Sequence, residues 1–145
     1  MGALPQELDG VLARSRGEPD RCGGREFWPM RWHDHDIVVV LSRIGKVAAA
    51  STAALLIERH RVDAVIFTGV AGGLVLGVEV GDVVVGNGFV QHDMDVSPLF
   101  PRFELPGQGI TRVAADGVLT QVLQEAAEDA VTWLPHLDRK STRLN

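Results

Sequence analysis

The stretch that most limits what this chain can fold into is Val62 to Asp82, reading VDAVIFTGVAGGLVLGVEVGD. Its apolar start, Ala64 to Phe67, is short and rich in β-branched residues, which predicts a buried strand. That strand runs straight into Thr68-Gly69-Val70-Ala71-Gly72-Gly73, a segment with almost no side-chain bulk. Glycine lets a backbone approach a ligand closely, and in open α/β sheets ligands bind beyond the carboxyl ends of strands. A tight turn at a sheet edge explains the same residues, and the spacing is not that of a dinucleotide-binding loop.

What precedes this stretch sets its context. Val47 to His60 is alanine-rich with Leu55, Leu56 and Ile57, a strong helix by propensity with small residues suited to packing on a sheet. Before it, Glu26–Trp32 and Ile37–Leu41 flank His33-Asp34-His35-Asp36 and read as a hairpin. A metal site at those four residues is the weaker alternative, because consecutive side chains point apart. Strand, helix and strand then make a crossover whose two strands are expected to be parallel with a right-handed connection. The fold class expected is therefore α/β.

At the front, Pro5 opens a short amphipathic helix with Leu8, Val11 and Leu12 on one face. Glu7 in its first turn has an ordinary explanation, since acids there complement the helix dipole. Arg14 to Gly24 reads as a polar surface loop. Further on, Val78–Val80 and Asp82–Val85 carry β signal, and Val118 to Trp133 has the spacing of a helix. Ser97 to Gly109 is a loop with three prolines yet Leu99, Phe100, Phe103 and Leu105, so it is expected to cover its own core or a partner.

Composition excludes several classes of function. The 145 residues suffice for one domain, and 46% hydrophobic with 23% charged residues is globular. A net charge of −5 with mixed signs gives no nucleic-acid footprint. No apolar run is long enough for a bilayer, and no signal segment follows Met1. One cysteine, Cys22, fits a reducing compartment, so a soluble cytoplasmic protein is expected. Asp138 to Asn145, reading DRKSTRLN, has no apolar period and matches the translation of a sequencing adapter. It is expected to be a processing scar following a partial domain of residues 1–137.

Six segments in order, GALPQEL (Gly2–Leu8), SRIGKVAAA (Ser42–Ala50), TGVAGGL (Thr68–Leu74), VGDVVV (Val80–Val85), HDMDVS (His92–Ser97) and LPG (Leu105–Gly107), resemble the 5′-methylthioadenosine/S-adenosylhomocysteine nucleosidases of the nucleoside phosphorylase/hydrolase superfamily. The resemblance implies a three-layer α/β/α fold with a mixed, mostly parallel sheet, truncated here. It implies hydrolysis of the N-glycosidic bond between adenine and a thioribose through an oxocarbenium-like cation. A glutamate activates water, and an aspartate assists adenine departure by protonation. Glu7 matches the water-activating glutamate. Leu4 stands where a methionine lies near the ribose, and Ile44 matches a residue beside the 5′-thio group. Val70, Ala71 and Gly72 match the turn under purine and ribose, while Leu99 and Pro106 match a loop lining the alkylthio pocket of the neighbour in a homodimer. No metal or organic cofactor is implied, and the partner is a small purine nucleoside.

The departures from the family pattern are as informative. Val70 replaces a frequent serine that helps position the acid, and Arg43 replaces a common glycine. Phosphorolytic relatives hold phosphate with an arginine and a hydroxyl residue where this chain has Phe67 and Val70, which favours water as nucleophile. The ribose-binding glutamate and the catalytic aspartate of the family lie downstream of the matched region, and its first strand is clipped to Met1. Other readings are a nucleosidase for futalosine or another adenosine derivative, a nucleoside phosphorylase, and a silent fragment that exposes an unpaired edge.

Overall fold

The computed structural model describes residues 1–133 and 141–144. The chain divides into two compact units, Met1–Gly72 and Gly73–Asn145.

The first unit is built on a three-stranded antiparallel sheet in the order β1-β2-β3, with β1 Asp20–Cys22, β2 Arg25–Trp32 and β3 His35–Val40. Two tight turns set its register. His33 (φ 42°) and Asp34 (φ 62°) link β2 to β3, and Gly23 (φ 56°) and Gly24 (φ 69°) link β1 to β2. Paired positive φ values are what a two-residue hairpin turn needs to match strand twist, so Trp32 faces His35 and Cys22 faces Arg25. β1 lies inside the polar stretch expected to be loop. Its three residues are too few and too polar to show a strand period, and the Gly-Gly turn is what allows them to pair.

Helix α2, Lys46–His60, covers this sheet with Thr52 and Leu56 buried. Leu56 packs with Phe27 and Val40, both wholly inaccessible, and Met1, Cys22, Val38, Leu55 and Val62 close round them. Burying Phe27 alone contributes about 2–3 kcal/mol from apolar area. At the helix C-terminus, Arg59 grips Asp20 through Nε and Nη2, each 2.8 Å from a carboxylate oxygen, and fastens α2 to β1. The His60 ring stacks on Phe27 at 4.6 Å.

The expected front helix is broken at Leu8 into a 3₁₀ turn, Pro5–Glu7, and α1, Asp9–Leu12. Met1 and Gly2 then act as a short central strand. The Gly2 N–H donates to Val40 O and Gly2 O accepts from Ser42 N–H, a parallel bridge to Leu41. On the other side the Met1 amino group donates to Ile66 O at 2.8 Å, and Met1 O accepts from the Thr68 N–H at 3.0 Å. Met1–Gly2 thus lies between the two arms of the crossover, which do not pair with each other directly. Residues 64–67 also correct the expectation of a buried strand: they carry no regular strand, and Val65, Ile66 and Phe67 are 38%, 46% and 55% exposed. Among the described residues Met1 meets this arm at two points, Ile66 O and the Thr68 N–H, which is too short a pairing to make a ladder.

In the second unit, β4 Val83–Gly86 pairs in parallel with β7 Ser141–Leu144, and β5 Gly88–Phe89 pairs antiparallel with β6 Val113–Ala114. The tail expected to be foreign therefore supplies a strand at 141–144, while residues 138–140 and 145 lie outside the described ones. Val78–Val80 form no strand; the Asp82 N–H donates to Glu79 O and Asp82 Oδ2 accepts from the Glu79 N–H, which closes a turn. Helix α3, Gly117–Trp133, starts on Asp116, whose Oδ1 accepts the Leu119 N–H at 2.9 Å. Leu99 in the proline-rich loop is 82% exposed and covers no core among the described residues of this unit. No described helix is long and apolar enough to cross a membrane.

Candidate active site

The 3₁₀ turn after Leu4 fixes the position of Glu7. Pro5 supplies a preset φ at the first helical position, and the Glu7 side chain then folds back over the start of its own turn. Its Oε2 accepts the N–H of Ala3 at 2.7 Å and of Leu4 at 2.9 Å. Oε1 accepts the N–H of Val70, sixty-three residues away in sequence, at 3.2 Å. The glycine turn therefore meets the front helix at one carboxylate. Val70 makes this contact through its backbone, while its side chain is 82% exposed. A hydroxyl at position 70 is not needed for it.

Two glycines frame the carboxylate. A methyl group built on Gly2 would stand 3.2 Å from Glu7 Oε2 and 3.2 Å from Thr68 O, and one on Gly69 would stand 3.1 Å from Glu7 Oε1. All three distances are tighter than ordinary carbon–oxygen contact, so a side chain at either position would crowd the carboxylate, and glycine leaves it room.

The three N–H groups hold the Glu7 carboxyl below the ordinary glutamate range, the Leu4 N–H most strongly, with desolvation opposing and the Ala3 and Val70 N–H groups adding to it. Because the folded value is depressed, these bonds stabilise the fold fully above the ordinary value of 4.5 and lose that effect as pH falls through the folded value. Asp20 and Asp95 are shifted the same way, by Arg59 and by Ser97 respectively. The difference between wild type and Glu7→Gln therefore isolates Glu7. Thermal midpoints of the two proteins are expected to converge as pH is lowered from about 6 to about 3, wild type losing more. Parallel curves across that range would place the stabilisation elsewhere.

Leu4 and Ile44 line a cavity of about 530 Å³ together with Trp28, Arg25, Glu26 and Arg43. Glu7 is not in its wall, but Ala3 and Leu4 are, so the segment that grips the carboxylate also forms one side of the cavity. Arg43 has φ 69°, a left-handed conformation that costs a side chain about 1 kcal/mol and that glycine adopts freely. Its Nη2 donates to Gly24 O at 2.6 Å. Arg25 reaches Gly23 O, Ala48 O and Ser51 Oγ through its terminal nitrogens, and its Nε is buried without a hydrogen-bond partner.

The structure thus brings together Leu4, Glu7 and Val70, and places Ile44 on the same cavity wall as Leu4. Ala71 and Gly72 follow Val70 as exposed, irregular backbone. Leu99 and Pro106 belong to the second unit's loop, where both are exposed. Sequence reading had not singled out Arg25, Trp28 or the glycine pair as site residues. The pairing of a glycine at 2 with a glycine at 69 has no local signal, since it arises from a contact distant in sequence.

The sequence model of the phosphorylase superfamily matches residues 1–138. A 5′-methylthioadenosine/S-adenosylhomocysteine nucleosidase of Geobacillus sp. (strain WCH70) is 40% identical over 133 residues, covering 88% of this chain and 56% of the relative. The chain thus spans about half the length of such curated relatives. Among solved structures, a Helicobacter pylori nucleosidase mutant with 5′-methylthioadenosine in the active site superposes with a TM-score of 0.83 at 30% identity, covering 98% of this chain and 60% of that one. The futalosine hydrolase of Helicobacter pylori gives the same TM-score, 0.83, also at 30% identity and with the same two coverages. Sequence and fold agree over nearly every residue of the chain, which belongs to the phosphorylase superfamily.

Proposed function

We propose that the chain is the front portion of a purine nucleosidase that hydrolyses the N-glycosidic bond of 5′-methylthioadenosine and S-adenosylhomocysteine and releases adenine. The observation that carries this reading is the Glu7 carboxylate held by the N–H groups of Ala3, Leu4 and Val70. A carboxylate offers about four acceptor sites, so three bonds to the backbone leave about one with which to orient a water. Glu7 is ionised at neutral pH, as a base must be. Its lowered basicity suits a reaction in which the sugar already carries oxocarbenium character, because such a cation needs a well-placed water more than a strongly deprotonated one.

In this reading Leu4 and Ile44 contact the ribose and the 5′-thio group, and the backbone of Val70, Ala71 and Gly72 runs under the nucleoside. Leu99 and Pro106 serve the neighbouring subunit of a cytoplasmic homodimer, which accords with the exposure of Leu99. Phe67 and Val70 supply neither charge nor hydroxyl to phosphate, which supports water as nucleophile. The residues that would protonate adenine and bind the ribose hydroxyls belong to the remainder of the protein, and DRKSTRLN at residues 138–145 is read as foreign sequence. The chemistry calls for no cofactor. Futalosine is the second candidate substrate, favoured by the equal structural likeness to the futalosine hydrolase.

The test is incubation of the complete gene product with methylthioadenosine in phosphate buffer. Free adenine with methylthioribose is the expected outcome, and the 145-residue chain alone is expected to give none. Methylthioribose 1-phosphate would show phosphorolysis, and adenine released by the short chain would overturn its assignment as a partial site.

A further inference from the structure

Resting on the nucleosidase reading, we infer that Arg43 makes the cavity beside Leu4 and Ile44 a subsite for a 5′ substituent that bears a carboxylate, so that the enzyme discriminates by the charge of the nucleoside's tail. The first support is position. Ala3 and Leu4 give their N–H groups to the Glu7 carboxylate and also line the cavity, so on the nucleosidase reading a 5′ substituent that passes Leu4 and Ile44 reaches this space.

Charge is the second support. Arg25, Glu26 and Arg43 all line the cavity, and Glu26 is already engaged by Arg21 at 2.9 Å. Arg21, Arg31 and Arg59 each pair with carboxylates, whereas within the first unit's described residues Arg25 and Arg43 meet neutral oxygens. The wall therefore holds two guanidinium charges that no carboxylate in it neutralises. Arg43 spends Nη2 on Gly24 O, and a guanidinium has five N–H donors in a fork that matches a carboxylate.

Strain is the third. An arginine persists here in a left-handed backbone conformation that glycine would adopt without penalty. Its bond from Nη2 to Gly24 O keeps the guanidinium at the wall of the 530 Å³ cavity. The apolar remainder of the wall, Leu4, Trp28 and Ile44, suits the thioether and methylene part of the same substituent.

The test compares kcat/KM for S-adenosylhomocysteine, its carboxamide analogue and methylthioadenosine in the complete gene product, with wild type, Arg43→Gly and Arg43→Lys. Wild type is expected to favour the acid over the amide by about tenfold, through KM, as a charge-assisted bond does. Arg43→Gly is expected to bring the acid-to-amide ratio to near one, and Arg43→Lys to restore part of it. Cleavage with a ratio unaltered by Arg43→Gly would overturn the subsite while leaving the nucleosidase reading intact. Failure of the complete protein to cleave any of the three would sink that reading and the subsite with it.

Discussion

Glu7→Gln in the complete gene product is expected to lower kcat by about 10²–10³-fold while changing the affinity for methylthioadenosine by less than about threefold. The amide keeps the length and shape of the side chain. It keeps one oxygen, so at most part of the set formed by Ala3, Leu4 and Val70 can still be accepted. What it loses is the negative charge facing the water and the ability to take its proton. Charge loss acts in the transition state, when the sugar is most cationic, and so falls on kcat. Affinity depends mainly on the apolar wall and on contacts that the substitution leaves in place. Steady-state rates combined with equilibrium binding of a non-hydrolysable analogue separate the two. Wild-type rates in the variant would remove Glu7 from the reaction, and loss of binding with kcat preserved would make it a recognition residue.

The local elements of this fold were legible in the sequence because their signals are local. Alanine-rich Val47–His60 and the helical spacing from Val118 to Trp133 became α2 and α3 within a residue of the expected ends. The hairpin around His33 and Asp34 follows from an aromatic first arm with Phe27, Trp28 and Trp32, a β-branched second arm with Ile37 to Val40, and a polar turn able to take positive φ. What escaped reading was set by neighbours rather than by period. β1 is three residues of polar sequence made into a strand by a Gly-Gly turn and by Arg59 on Asp20. Residues 64–67 have a strong strand composition yet form no regular strand, with Val65, Ile66 and Phe67 partly exposed and Ile66 bonded to the Met1 amino group, because composition reports what a segment could pair with and not which partner it meets.

The same distinction separates the parts of the candidate site. Glu7 and the glycine turn could each be picked out along the chain, but their meeting rests on the Val70 N–H, a backbone atom that no residue type advertises. Read alone, Glu7 is explained by the start of a helix, and the structure retains that explanation: its Oε2 does accept the Leu4 N–H at the front of the 3₁₀ turn. The capping bonds fall on Oε2 and the bond to the glycine turn falls on Oε1 of the same carboxylate. Arg43 shows the converse. It was legible as a departure from the family's glycine, while its strained backbone and its place on the cavity wall became visible only in three dimensions.

Gly2→Ala is the substitution that tests this geometry without touching a side chain that does chemistry, and it is expected to cost about tenfold or more in kcat. The added methyl would stand 3.0 Å from Leu8 Cγ, 3.2 Å from Glu7 Oε2 and 3.2 Å from Thr68 O. The leucine can rotate away, but the carbonyl oxygen cannot easily do so, because Thr68 is tied to Met1 through its N–H. Gly2 is itself pinned on its other side by Val40 and Ser42, so its backbone cannot retreat. The group most free to yield is the Glu7 carboxylate, and a shift of tenths of an ångström at an attacking water's acceptor is enough to misalign it. Overpacking at a buried position of this kind also costs stability, about 1–3 kcal/mol, so a thermal melt is needed beside the rate. The informative comparison is Gly2→Ala against Gly10→Ala, since a methyl on Gly10 meets nothing within 4 Å. If Gly2→Ala keeps its full rate in a protein that remains folded, the carboxylate is not positioned by the close passage of the chain at Gly2. If Gly10→Ala loses as much, the effect belongs to the front helix as a whole.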